Sequence, residues 1–219
     1  MESKVFVIIG MGPGIGMALV ERFAKEGYTI AMISRNEGRL SLYLEILERQ
    51  LVASRYFVGD ASNPASLTKA LDRVSREVGH PEVLVYNAAK VKKLHVLEES
   101  ADSLAEDFIV NVGSALEAVK TVLPVMQIRG GGSILFTGGG FALHPNPEFA
   151  SLSIGKAGLR NLASQLHTAL KGTGIKVATL TVQGFVSKNS DRHNPAAIAE
   201  QFWQLHQAPE GTMDFELQY

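Results

Sequence analysis

The run Gly10-Met11-Gly12-Pro13-Gly14-Ile15-Gly16 follows a short apolar stretch and opens an amphipathic one. Glycines at this spacing let a chain turn sharply and bring its amide N–H groups against a pyrophosphate, which then rests on the N-terminus of the following helix. A dinucleotide is therefore expected at this loop. The second apolar run ends at Ser34-Arg35-Asn36. An NAD site places a carboxylate at such a point for the ribose 2′-hydroxyl, whereas a guanidinium fits a 2′-phosphate in fork geometry. The residues thus predict NADP(H) in preference to NAD(H), with Glu37 as the neighbour that could oppose it. His144 stands just past the fifth apolar run; a histidine titrates near pH 6.5 and suits acid–base work, or is simply exposed. Lys90, Lys92, Lys93 and His95 follow the fourth run, as a solvated loop or as a recogniser of an anionic substrate.

These residues need elements to hold them. Short β-branched runs at 5–9, 29–33, 55–58, 83–85, 133–136 and 176–181 alternate with longer segments at 18–25, 39–51, 64–78, 100–122 and 151–170. That alternation predicts βαβ units and a mostly parallel sheet flanked by helices, a doubly wound α/β fold. The ligand-binding edge of such a sheet is its carboxyl edge, where the glycine loop and His144 both fall. Leu104, Phe108, Val112, Ala115, Val119 and Val122 recur at steps of three or four, an apolar stripe that Pro124 should end or kink. Asn63-Pro64 and Asn194-Pro195 read as helix caps followed by proline. Residues 184–194 are polar and loop-like, followed by a helix at 196–206 and an edge strand at 215–217. Trp203 on that helix reads as an anchor onto the core.

Composition narrows the function. With 21 Lys and Arg against 22 Asp and Glu, the chain lacks the basic excess of a nucleic-acid binder. It has no cysteine, hence no disulfide frame, thiolate nucleophile or Cys-ligated metal. The glycine-rich run at 5–20 is too short to span a bilayer. The expectation is one Rossmann-type domain over residues 1–219, cytoplasmic, with no metal, membrane or nucleic-acid partner.

The glycine loop, Ser34-Arg35, Asp60 after the third strand and Asn87-Ala88-Ala89 after the fourth resemble the short-chain dehydrogenase/reductase family. Asn111, Lys156 and Gln183-Gly184 continue the likeness, which covers roughly residues 4 to 188. The resemblance implies an NAD(P)(H) site at Gly10, Gly12, Gly14, Ile15, Gly16, Ser34, Arg35, Asp60, Ala61, Asn87, Ala88, Lys156 and Gly184. Within it, Asp60 would contact the adenine, the Asn87 segment would support the central strands, and Lys156 would hold the nicotinamide ribose. Asn111 and Lys156 are the implied catalytic residues, with His144 as the candidate proton donor.

Departures from the family pattern matter as much. The family places a tyrosine four residues before the lysine and a serine about thirteen before the tyrosine; here Leu152 and Gly139 stand there. Ser151 and Ser153 flank Leu152, but a one-residue shift turns a helical side chain by about 100°, which suits a cap and a packing residue. Phe141, Leu143, Phe149 and Leu152 would make the surroundings apolar, or simply pack a loop. Two functions remain open: an atypical NADP(H)-dependent oxidoreductase acting on a carbonyl or alcohol, or a non-catalytic nucleotide-binding module. The family's helix-pair interface implies a homodimer or homotetramer, with Ala115, Ala118, Ala157 and Ala163 as candidate contacts.

Overall fold

In the first strand, β1 (Val5–Ile9), Val5, Val7 and Ile9 join one buried cluster while Phe6 and Ile8 join another. A strand with no polar side must be covered on both faces, and helices do this for a parallel sheet. In the computed structural model, which describes residues 4–219 and so leaves residues 1–3 of the expected span outside, six further strands continue that sheet. They are β2 (Thr29–Ser34), β3 (Ser54–Val58), β4 (Pro81–Tyr86), β5 (Gly132–Gly139), β6 (Ile175–Val182) and β7 (Glu216–Gln218). Their order is β3-β2-β1-β4-β5-β6-β7, every pairing parallel.

One face carries α1 (Ile15–Ala24), α2 (Glu37–Arg49) and α7 (Pro195–Gln207); the other carries α3 (Pro64–Glu77), α5 (Ser114–Arg129) and α6 (Ala150–Ala169). A short helix, α4 (Ala101–Phe108), precedes α5. Strand order reverses between β1 and β4, which opens a crevice at their carboxyl ends. The capping expectations hold: Asn63 accepts from Ser66 N and Asn194 from Ala197 N.

The long helix expected at 100–122 is interrupted. Ile109–Gly113 widens into a π turn between α4 and α5, which buries Asn111 and leaves Phe108 38% exposed. An extra residue in one turn slips the apolar stripe, so no single 3.6-residue period describes it. Pro124 does not end the helix, which runs on to Arg129. It lies on the exposed face, and so does Lys120, whose carbonyl its missing N–H would have bonded. Strand β5 also runs past its expected end at 136, because Gly138 fits where a Cβ would stand 2.7 Å from Thr179 Oγ1. Trp203 does anchor α7, edge-on to Phe23 at 5.3 Å with Arg22 stacked over it.

Candidate active site

The glycine loop follows β1 into α1. Gly10 has φ +89°, and a Cβ there would lie 2.4 Å from the Ala88 nitrogen, so only glycine lets the loop lie against the end of β4. Its N–H and that of Met11 both bond the carbonyl of Ile33, holding the turn on β2. Gly12 and Gly14 face open space. Side chains of Asn36, Asn63, Ser100 and Asn194 cap α2, α3, α4 and α7, whereas no side chain caps α1 and no acidic residue occupies its first turn. The positive end of α1 is thus left open to an anion.

From this loop a cleft of about 310 Å³ extends toward β2 and β3, lined in part by Ser34, Arg35, Asp60, Ala61 and Ala88. Arg39, not singled out from sequence, lines it too, although its place four residues beyond Arg35 was a readable signal. Glu37 is absent from the lining and stands 3.5 Å from the hydroxyl of Tyr56. One oxygen of Asp60 accepts from Ser62 N. Ala61 is held by Ser114, whose hydroxyl donates to its carbonyl at 2.6 Å.

Asn87 joins the two halves of the crevice. Its Nδ2 donates to the Gly10 carbonyl and its Oδ1 accepts from Thr137 Oγ1, both at 2.8 Å, which ties β1, β4 and β5 together at their ends. Beyond it opens a second cleft of about 720 Å³, whose walls include Ile15, Gly139, His144, Leu152, Lys156 and Gly184. Lys156 Nζ donates to the Thr137 carbonyl at 2.6 Å, and burial pushes its ammonium down to about 8. Leu152 lies 8% exposed, and Gly139 sits against the Lys156 stem in extended backbone. His144 is exposed on the lining.

Asn111 lies deeper. Its Oδ1 accepts from Lys90 N at 2.8 Å, its Nδ2 is buried without a partner, and Gly155 makes room for it: a Cβ there would stand 2.6 Å away. Gly184 leaves room for the ring of His193, whose Nδ1 would stand 2.1 Å from a Cβ there, a neighbour the sequence did not suggest.

Several expectations are corrected. Ser151 caps nothing, since α6 has no side-chain cap, and it is buried outside the cleft lining. Ser153 pins the preceding loop, accepting from Asn146 N at 3.1 Å. The basic cluster is divided: Lys90 lines the outer cleft, Lys93 is exposed, and Lys92 pairs with Glu99 and Asp107 at 2.9 Å each. Leu143 is missing from the cleft lining, whereas Phe141 and Phe149 stack there at 5.5 Å. Ala115, Ala118 and Ala163 are wholly buried against this chain's own sheet, which removes them as subunit contacts; Ala157 is exposed.

Residues 4–196 match the family model described as short chain dehydrogenase. A probable galactose dehydrogenase, GalD, of Rhizobium meliloti (strain 1021) is 30% identical over 194 residues, 88% of this chain and 75% of its own. A short-chain dehydrogenase from Rhodopseudomonas palustris superposes with TM-score 0.88 at 25% identity, covering 100% of this chain and 99% of its own. At 19% identity the fold alone is shared with the NADPH-bound short chain oxidoreductase of Pseudomonas aeruginosa PAO1 containing an atypical catalytic center (TM-score 0.87, 98% of this chain and 95% of that one). The matched span takes in the glycine loop, the switch-point crevice and Lys156 alike, and the chain belongs to the short-chain dehydrogenase family of NAD(P)-binding oxidoreductases.

Proposed function

We propose an NADP(H)-dependent oxidoreductase with a reorganised proton-transfer site, acting on a carbonyl or alcohol compound. The observation that carries the cofactor choice is the pair of guanidinium-bearing residues, Arg35 and Arg39, lining the cleft at the end of β2, with Glu37 outside it. The residues present fit such a group: open space at Gly12 and Gly14, an uncapped α1 N-terminus, and the Asp60 and Lys156 clefts meeting at Asn87. Gly12, Gly14, Ile15 and Gly16 would hold the pyrophosphate on the turn that Gly10 makes, Ser34 and Arg35 the 2′-phosphate, Asp60 and Ala61 the adenine, and Asn87, Ala88, Lys156 and Gly184 the nicotinamide half. The NADPH of the Pseudomonas relative supports the same choice. When bound, the group supplies a hydride donor or acceptor.

In this reading Leu152 and Gly139 replace the family's tyrosine and serine. Lys156 and His144 are then the titratable side chains lining the inner cleft, with Asn111 positioning the loop at Lys90. The lack of a hydroxyl at positions 152 and 139 also favours a second reading, a nucleotide-binding module without turnover. Calorimetric titration with NADPH and NADH, beside NADPH oxidation over a carbonyl panel, separates the two. Binding with turnover supports the enzyme, binding without turnover across the panel supports the module, and no binding overturns both.

A homodimer or homotetramer belongs to this proposal. Phe108, Ile109, Leu116 and Ile154 leave an apolar face at least 37% exposed on each residue, where α4 to α6 meet solvent. Sedimentation at micromolar concentration showing only a 23.6 kDa species would exclude it.

A further inference from the structure

The inner cleft is apolar in a way that discriminates between substrates. Phe141 and Phe149 stack at 28° to one another along its lining, and Phe185 and Val91 border it while 90% and 67% exposed. Most of its polar side chains already have one hydrogen-bond partner within the chain. Asn87 bonds Gly10 and Thr137, Lys156 bonds the Thr137 carbonyl, and Gln183 Nε2 donates to Gln218 Oε1 at 2.7 Å. Among the described residues lining it there is no carboxylate and no arginine. A sugar entering here would leave most hydroxyls without partners, each at a desolvation penalty. A flat uncharged ring system would find aromatic faces instead.

The proton chemistry points the same way. Reducing an isolated ketone leaves an alkoxide, whose conjugate acid is about as weak as water, and so demands a donor at the oxygen. Leu152 and Gly139 carry none. Reducing a quinone leaves a phenolate, whose conjugate acid titrates near 10 as tyrosine does, and solvent can protonate it.

We infer that this cleft takes an uncharged, planar, conjugated dicarbonyl compound of quinone type, and this rests on the oxidoreductase reading above. One quinone oxygen takes the hydride, forming an O–H bond as both C=O double bonds give way to an aromatic ring. The other oxygen is left as a phenolate, takes a proton from water, and the hydroquinone leaves while the reduced nicotinamide becomes oxidised. The chain has no cysteine that such an electrophile could alkylate.

The test begins with binding, free of turnover. Full-length protein saturated with NADP⁺ is titrated calorimetrically with 1,4-naphthoquinone, with α-tetralone, which has one ketone on a similar skeleton, and with galactose. Naphthoquinone should bind more tightly than galactose, and Phe149→Ala should weaken it by roughly two- to tenfold while NADP⁺ affinity stays unchanged. With NADPH, corrected for the protein-free reaction, naphthoquinone should be reduced at least about a hundredfold faster than α-tetralone, the usual worth of a general acid. Leu152→Tyr should narrow that gap by accelerating α-tetralone. Tighter binding of galactose, or equal rates for the two aromatic compounds, overturns the inference. Protein that binds NADPH but neither binds nor reduces naphthoquinone overturns it alone; protein that binds no cofactor overturns the oxidoreductase reading with it.

Discussion

A β-carbon on Gly139 would stand 3.7 Å from the Cε of Lys156, an ordinary contact, and the backbone there is extended at φ −163°. Serine therefore fits this position in both space and conformation, contrary to what a glycine in the sequence suggests. Leu152→Tyr places a phenol one helical turn from Lys156, whose charge lowers the phenol pKa. The double variant should gain NADPH-dependent reduction of simple ketones by about 10²–10⁴-fold, with cofactor affinity little changed. Steady-state NADPH oxidation checks this. If the unmodified protein turns over a ketone briskly and both changes slow it, another donor is at work, and His144 is the first to replace.

Arg35 lines the outer cleft beside Arg39. A charge-assisted bond to phosphate contributes roughly 1.5–3 kcal/mol, or about tenfold to a hundredfold. NADP(H) should bind more tightly than NAD(H) by that factor, Arg35→Ala should remove most of the difference, and adding Arg39→Ala should remove the rest. Equal affinities in the unmodified protein would sink the assignment.

Gly10→Ala should be severe. It forces φ +89° on an L-residue and sets a methyl group 2.4 Å from the Ala88 backbone. Strain and overpacking together should cost at least about 2 kcal/mol, read as a lowered urea midpoint. Gly12→Ala, with open space around it, should leave stability nearly unchanged and weaken dinucleotide binding.

At the opposite edge of the sheet, His206 lies 7% exposed, its ring nitrogens 2.7 Å from Tyr28 Oη and 2.8 Å from Ser133 Oγ. Lys176 Nζ donates to its carbonyl. Burial, with the Lys176 and Lys4 cations, lowers its pKa to about 4. The folded state thus resists a proton that the unfolded chain takes up near pH 6.5, so stability falls as pH drops from 6.5 toward 4. The loss attributable to this ring should approach 3 kcal/mol at most. His206→Gln should be less stable at pH 7, and the gap should shrink at pH 4.5. A gap constant between the two pH values, by urea unfolding, would refute the role.

Taken alone, the amino-acid order determined the alternation of strands and helices, because a central parallel strand is largely apolar, and the starts of α3 and α7, because an asparagine there supplies a side-chain acceptor. The glycine loop was readable for a similar reason, since backbone demands are local. The tertiary structure decided everything that depends on which side of an element meets which neighbour. Asn111 turns inward because a π turn shifts the helix phase and Gly155 leaves it space. Three of the four alanines offered for a subunit contact face the sheet, since small residues suit helix–sheet packing as well as helix pairing. His206, unremarkable on its helix, acquires its lowered pKa only from burial in the packed molecule and from the Lys176 and Lys4 cations that the fold brings near it. Spacing along a chain sets direction within one element; burial and hydrogen-bond partners come from residues far apart in sequence, and only the packed sheet brings them together.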